Sequence, residues 1–140
     1  MENAKVAHEL CSLFDAKITS YYRDTFKGLF GKSQLDVLNY LHQNKIAKPQ
    51  EMADSLNMPK QHASKILLKF EEINIVESKK DEIDKRGKIY KLSTNGLELI
   101  NAHLRESNNN LEQLVKRLDK EEQKEFLDAM VTMIKILKKL

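Results

Sequence analysis

The sequence predicts a mainly α-helical fold of about six helices and one two-stranded β-hairpin. Apolar residues recur at helical spacing through most of the 140 residues, of which 41% are hydrophobic. Only 4 glycines and 2 prolines are present, whereas sheet-rich folds need turn residues every few positions. One short region of β-prone runs interrupts the helical pattern. The length fits a single domain over residues 1–140.

The first two helices are indicated by an apolar stripe and a capping signal. Residues 3–27 carry apolar side chains along one face, and this pattern ends at Gly28. Ser33 with Asp36 resembles a capping box, so we expect Ser33 to open the second helix. The stripe of the first helix is large for a terminal segment, and we expect a partner to cover it.

Two further helices are predicted before the hairpin. Pro49 suits the first turn of a short helix over residues 49–56, because its missing N–H is not needed there. Pro59 likewise suits the start of a helix that runs to about residue 72. Asn74 then stands at a place suited to a left-handed turn, which asparagine tolerates.

The hairpin and the last two helices complete the chain. The runs IVESK and KIYKLS flank the charged segment KDEIDKRG, a pattern typical of two strands with an exposed tip. Ser93 or Thr94 is expected to cap the next helix, whose middle is weakened by Asn108–Asn110. Asp119 with Glu122 is expected to form a capping box for the last helix.

The central elements have the order of a helix-turn-helix followed by a β-hairpin wing. In such a motif the N-terminal half of the second helix enters the major groove of DNA. Here that helix carries lysine and glutamine side chains, which bond phosphates and base edges. An ordinary solvated helix face is the alternative interpretation. The candidate DNA contacts from this helix are Lys60, Gln61, His62, Ser64, Lys65 and Lys69.

The wing supplies a second basic element. Asp84 is expected to hold a wing arginine in shape, while Arg86 reaches for a minor groove, because narrow A·T tracts attract arginine. The net charge of +3 is too small to imply nucleic acid by itself, so the local placement of the cations carries this prediction. The candidate DNA contacts from the wing are Lys85, Arg86 and Lys88.

These motifs resemble the winged helix-turn-helix of the MarR family, the multiple antibiotic resistance regulators. The segment PQEMADSL is similar to the family's first-helix pattern L-T-x-x-E-L-A-x-x-L. The family's wing has Asp-(Arg/Lys)-Arg followed by Leu-Thr-x-x-Gly. This chain has Asp84-Lys85-Arg86, then GKIYK, then Leu92-Ser93-Thr94-Asn95-Gly96. Spacing and order match the family.

Three positions depart from the family pattern. Ser93 replaces the usual threonine, Asn74 stands where the family often has glycine, and Leu68 is apolar where the family often has a polar residue. The resemblance extends along the whole chain, because long helices at both ends are also a family trait.

The resemblance implies an obligate homodimer that binds a pseudo-palindromic operator, usually as a repressor under the control of a small-molecule effector. Residues 33–93 would form the DNA-binding part, and residues 1–30 and 94–140 the helical dimerisation part. The long apolar stripes at both ends favour a dimer independently. A two-fold dimer would set two recognition helices one duplex turn apart, about 34 Å.

Cys11 in the first helix is the candidate for a redox signal. Family branches similar to the organic hydroperoxide and staphylococcal redox regulators use one cysteine in this helix, together with a Tyr-Pro-Gln motif at the second helix. That motif is absent here, and a buried, inert cysteine is the alternative. Tyr21, Tyr22 and Tyr40 are candidates to line an effector pocket, or to serve as amphipathic packing.

Other classes of function have no supporting pattern. The sequence has no nucleophile elbow, phosphate loop or zinc-protease motif, so we predict no enzymatic activity and no cofactor. The histidines show no short-spaced metal motif. A single cysteine, with no signal peptide and no membrane span, predicts a soluble cytoplasmic protein. The alternative to a DNA-binding regulator is a dimeric winged-helix module that binds proteins.

Overall fold

The computed structural model describes residues 2–20 and 28–140. In this part of the chain, six α-helices and one two-stranded sheet follow the predicted order, so the predicted fold class is confirmed. The remainder of the predicted first helix, residues 21–27, lies outside the described residues. The elements are α1 (Glu2–Phe14), which a π-helical turn (Asp15–Thr19) continues, α2 (Lys32–Asn44), α3 (Pro49–Ser55), α4 (Lys60–Glu72), β1 (Val76–Lys80), β2 (Lys88–Leu92), α5 (Thr94–Val115) and α6 (Lys120–Leu137).

The core lies between α2, α3, α4, the first half of α5 and the sheet. Phe70 on α4 is fully buried, and its ring meets the ring of Phe30 edge-on with 5.7 Å between the centroids. Val76 of β1 and Leu92 of β2 belong to the same buried cluster as Phe70, so core packing holds α4 and the hairpin together. The largest fully buried apolar side chains are Phe70, Leu38, Leu41, Met52, Leu67, Ile100, Val37 and Val76.

The hairpin is antiparallel and is tied to the helix-turn-helix. Its register pairs Val76 with Leu92 at the base and Lys80 with Lys88 near the tip. Ala47, in the connection between α2 and α3, exchanges two backbone hydrogen bonds with Tyr90 of β2, at 2.8 and 2.9 Å. The wing is therefore hydrogen-bonded to the helix-turn-helix that contains α4.

The start of α2 differs from the prediction that Ser33 opens it. The helix begins at Lys32 after Gly31, and the Gln34 side chain accepts a hydrogen bond from the Gly31 amide at 3.1 Å. The carboxylate of Asp36 pairs with Lys32 at 3.6 Å across one helical turn instead of closing a capping box. The predicted Ser33 cap is wrong because Gln34, at the third helical position, satisfies this end.

The other caps follow local sequence rules. Ser93, and not Thr94, is the N-cap of α5, and its hydroxyl accepts from the Gly96 amide at 3.0 Å. Asp119 and Glu122 cap α6 reciprocally, as predicted. Asn74 has a φ of 61°, the left-handed turn expected there. The α5 helix continues without a break through the asparagine run.

The terminal helices leave much apolar surface uncovered in a single chain. No residue of α1 or α6 is buried. None of the helices in the described ranges is both long and apolar enough to cross a membrane. The apolar side chains that α1 and α6 expose include Val6, Leu10, Leu13, Phe14, Leu127, Val131, Ile134, Ile136 and Leu137.

Candidate nucleic-acid interface

The turn between α3 and α4 sets the direction of α4. Asn57 adopts a left-handed conformation with φ 52°, and the Met58 amide donates back to the carbonyl of Ala53 at 3.0 Å. Pro59 then stands just before the helix in an extended conformation, and its carbonyl accepts the first intrahelical hydrogen bonds. The turn thus ends α3 sharply and fixes the entry of α4.

One face of α4 is buried and the opposite face is open. The buried side chains are Ala63, Ile66, Leu67 and Phe70. Of the six candidate DNA contacts on this helix, Ser64 is half-buried and the others are exposed: Lys60, Gln61, His62, Lys65 and Lys69.

The lysines of α4 are available to an external anion. Lys60, Lys65 and Lys69 make no ion pair with any described residue. Glu72 lies exposed at the far end of the helix. Glu71 instead accepts a hydrogen bond from the Ser78 hydroxyl of β1, and with burial it raises the pKa of Tyr90, burial being the larger cause. The far end of α4 is therefore joined to the wing.

The tip of the wing is closed by its own hydrogen bonds. The Asp81 amide donates to the Gly87 carbonyl at 3.0 Å, and the Gly87 amide donates to the Asp84 carbonyl at 2.9 Å. The Asp84 carboxylate accepts from the Arg86 amide at 3.1 Å. Asp84 therefore holds the backbone at Arg86, whereas the predicted contact was with an arginine side chain. The Arg86 side chain is exposed and makes no ion pair with a described residue.

Basic side chains of the wing surround one concave surface of about 350 Å³. All three wing candidates border it, and all three are exposed. A concave surface lined by several cations and no carboxylate concentrates positive potential, which attracts phosphates. Its lining residues are Ser78, Lys79, Lys80, Lys85, Arg86, Gly87 and Lys88.

Asp81 anchors the wing, a role that the sequence pattern does not predict. Only 5% of this residue is exposed, and its carboxylate lies 3.6 Å from the Nζ atom of Lys48, at the start of α3. The same carboxylate accepts from the Ile83 amide at 3.0 Å. That hydrogen bond is the largest cause that lowers the pKa of Asp81, and Lys48 lowers it further. The signal available in the sequence is the residue type, because an aspartate in a turn often bonds the backbone amide two residues on, and Asp84 carries the same signal.

The depressed pKa of Asp81 predicts a pH-dependent contribution to stability. Its folded pKa is below the ordinary value of 3.8, so its contribution is complete above about pH 5 and is lost as pH falls through the folded pKa. We expect the Asp81→Asn protein to be less stable than wild type near neutral pH, with a difference that shrinks below about pH 4. Urea unfolding at pH 7, 5 and 3 measures this difference. Glu82→Gln removes an exposed neighbouring carboxylate and serves as control; an equal pH trend in both variants would contradict the role of Asp81.

A glycine and a serine join α5 to the end of α4. The Ser93 hydroxyl donates to the backbone carbonyls of Asn74 and Ile75. Its Oγ atom lies 2.6 Å from the Asn74 oxygen and 3.0 Å from the Ile75 oxygen. A Cβ atom on Gly96 would lie 2.1 Å from the Ile75 carbonyl oxygen. The Leu92-Ser93-Thr94-Asn95-Gly96 pattern therefore has a physical cause: the first turn of α5 touches the backbone before β1.

A polar cavity of about 310 Å³ lies beside α2 and α5. His103 on α5 is buried there; burial lowers its pKa, and Glu106 partly offsets the effect. Among the described residues no group of three histidine, cysteine or acidic side chains could hold a metal ion. The lining residues are Asp15, Thr19, Lys32, Leu35, Asp36, Asn39 and His103.

The remaining candidates lie apart from the basic elements. Cys11 on α1 is exposed in the single chain, which differs from the buried alternative. Tyr40 is half-buried and packs against the core. Tyr21 and Tyr22 lie outside the described residues. A second, apolar groove of about 400 Å³ separates α1 from the C-terminal helices and is lined by Leu10, Leu13, Phe14, Lys17, Ile18, Leu114, Val115, Arg117, Leu118 and Phe126.

Comparison with solved structures shows the same fold along nearly the whole chain. A MarR family protein from Bacillus stearothermophilus has a TM-score of 0.82 at 13% identity, covering 98% of this chain and 96% of that one. A transcriptional regulator from Thermotoga maritima has a TM-score of 0.71 at 19% identity, covering 99% and 95%. A mutant MarR from E. coli complexed with operator DNA has a TM-score of 0.66 at 17% identity, covering 95% of each.

Of the two sequence comparisons, one finds a match. No curated protein matches the chain by sequence. The sequence model of the MarR family matches residues 32–88, which run from the start of α2 to the start of β2. These residues hold the helix-turn-helix and the first strand and tip of the wing. The resemblance indicated by the wing motif is thus confirmed: residues 32–88 match the model of the MarR family, and the chain has the fold of a solved MarR family protein along nearly its whole length.

Proposed function

We propose that this protein is a homodimeric regulator that binds specific double-stranded DNA, acting as a repressor of the MarR type. One observation carries the proposal: two basic elements, the outward face of α4 and the wing, belong to one body. Asp81 with Lys48 joins the wing to α3, and Glu71 with Ser78 joins it to α4. The lysines of α4 and the three wing candidates stay free of ion pairs with described residues. The E. coli relative, solved with operator DNA, supports the same use of the fold.

The geometry of binding follows from the two elements. The N-terminal half of α4 lies in a major groove, where Gln61 and Lys65 reach base edges and Lys60 a phosphate. The wing follows the neighbouring backbone and places Arg86 in the minor groove. Residues 33–93 form this DNA-binding part.

The proposed dimer interface is formed by the uncovered terminal helices, which belong to residues 1–30 and 94–140. Five large apolar residues of α6 are at least half exposed in the single chain, namely Leu127, Val131, Ile134, Ile136 and Leu137. Apolar surface on this scale is rarely left open to water. A two-fold partner that covers it also sets the second α4 one duplex turn away, about 34 Å, which matches a pseudo-palindromic operator.

An effector would act by preferring one dimer geometry over another. The polar cavity around His103 lies between α2, which belongs to the DNA-binding part, and α5, which belongs to the dimerisation part. A small molecule held there changes the spacing of the recognition helices only if it binds one geometry more tightly. Oxidation of the exposed Cys11 is the alternative signal. The regulator would act in the cytoplasm and have no enzymatic activity.

Replacing Arg86 tests the wing. We expect Arg86→Ala to weaken binding to a selected operator duplex by about 1–3 kcal/mol, roughly five- to 150-fold, because a minor-groove contact is lost. Fluorescence anisotropy with a labelled duplex measures the affinity, and the thermal unfolding midpoint should stay unchanged. Arg105→Ala removes an exposed arginine of α5 and should bind as wild type.

The salt dependence of the same assay tests DNA binding itself. Phosphate contacts by lysine and arginine release counterions, so the affinity should fall steeply as the salt concentration rises. In the Arg86 experiment, an affinity of Arg86→Ala equal to that of wild type would show that the wing does not contribute to DNA binding. Absent or salt-insensitive binding would favour a winged-helix module for protein interaction.

A further inference from the structure

Leu68 is an apolar side chain on the outward face of α4, one turn beyond Ser64 and Lys65. Its exposed fraction is 49%, whereas the other apolar residues of this helix are buried. At 3.6 residues per turn, Gln61, Lys65 and Leu68 lie within about 60° of one another, opposite the buried stripe. Leu68 therefore shares its face with side chains that suit base edges and phosphates.

The direction of helical side chains brings Leu68 closer to those groups. A leucine on a helix leans toward the N-terminus and covers the turn before its own Cα atom. For Leu68 that turn holds Ser64 and Lys65, one half-buried and the other exposed. A surface that receives Lys65 as a polar contact therefore meets an apolar group immediately beside it.

The major groove offers one apolar group on its base edges, the C5-methyl group of thymine. Phosphates and the hydrogen-bonding groups of the other major-groove edges present charged or polar atoms to α4. An apolar side chain on a DNA-facing helix surface is therefore complementary to thymine. It discriminates against cytosine, which lacks the methyl group and presents an amino donor instead.

We propose that Leu68 packs against a thymine methyl group and so specifies thymine at one position of each operator half-site. The inference rests on the proposed DNA binding and adds to it a residue that determines sequence preference. Lys60, which contacts a phosphate, contributes affinity that is largely independent of sequence, whereas Leu68 contributes selectivity.

The test removes the methyl group from the DNA and the leucine from the protein. The full chain first selects a high-affinity duplex from a randomised pool, and single thymines are then replaced by deoxyuridine, which lacks only the methyl. We expect one replacement within a half-site to weaken wild-type binding about fourfold, the size for burying one methyl group. Leu68→Ala should bind the thymine duplex similarly weakly and should be insensitive to that replacement.

A matched variant separates this contact from a general effect of losing an exposed leucine-sized side chain. Ile73, just after α4, is 51% exposed but does not lie on the outward face. Ile73→Ala should keep the wild-type affinity and the wild-type response to deoxyuridine. The unfolding midpoint of each variant verifies that it is folded.

The outcomes distinguish this inference from the function on which it rests. The role of Leu68 would be overturned if the wild-type chain bound thymine and deoxyuridine duplexes equally. It would also be overturned if Leu68→Ala lost as much affinity on the deoxyuridine replacement as wild type does. Either result would leave DNA binding itself intact. Failure of the wild-type chain to select any duplex at low salt would overturn the proposed function and the inference together.

Discussion

A Gly96→Ala protein is expected to lose about 3 kcal/mol or more of its free energy of unfolding. The added Cβ atom would lie 2.1 Å from the carbonyl oxygen of Ile75, a backbone atom that cannot rotate away. The same carbonyl accepts from the Ser93 amide at 2.9 Å. Relief of the clash must therefore move α5 away from the base of the hairpin.

Urea unfolding followed by circular dichroism measures this loss. Gly87→Ala is the control, because a Cβ there meets its neighbours at ordinary distances, the nearest being 3.6 Å from the Asp84 carbonyl oxygen. It should remain within about 1 kcal/mol of wild type. Equal stabilities of the two alanine variants would contradict the contact assigned to the start of α5.

A Val131→Asp protein is expected to be monomeric and to lose more than about 100-fold in operator affinity. Val131 is 65% exposed in the single chain and shares a stripe of α6 with Leu127 and Ile134. A carboxylate there leaves the fold of one chain intact but would be buried without a partner in the dimer. Without the dimer, each half-site is bound separately, and the gain from linking the two sites is lost.

Analytical ultracentrifugation reports the mass and anisotropy reports the affinity. Thr132→Asp introduces the same carboxylate at the next position, about 100° around the helix, and should remain dimeric. A Val131→Asp protein that stays dimeric would show that this stripe of α6 is not the interface. A monomer that binds the operator as tightly as wild type would separate dimerisation from DNA binding.

Local signals in the sequence predicted the order of the elements and several of their ends. The left-handed turn at Asn74 and the reciprocal cap of Asp119 and Glu122 depend on residues within one or two turns. Ser33 was predicted as a cap because Asp36 follows at the right spacing. The ion pair of Asp36 with Lys32 and the hydrogen bond from Gly31 to Gln34 compete with that cap locally. Several local signals coexist there, and sequence rules do not rank them.

Long-range contacts were beyond the reach of sequence patterns. The pair of Lys48 and Asp81 joins two segments that are distant in the chain, and nothing in the composition of the wing distinguishes Asp81 from Glu82 or Asp84. The burial of His103 beside a polar cavity depends likewise on how α5 packs against α2. In contrast, the exposed face of α4 and the basic wing were predictable, because amphipathic spacing alone determines which side chains face outward.

Hydroxyl-radical footprinting of the wild-type chain on its selected duplex tests the central claim most directly. A dimer with one α4 in each of two consecutive major grooves should protect two symmetric half-sites whose centres lie about 10 base pairs apart, with two chains bound per duplex. Protection of a single half-site by one chain, or uniform protection without symmetry, would contradict a two-fold regulator that reads DNA through α4 and the wing.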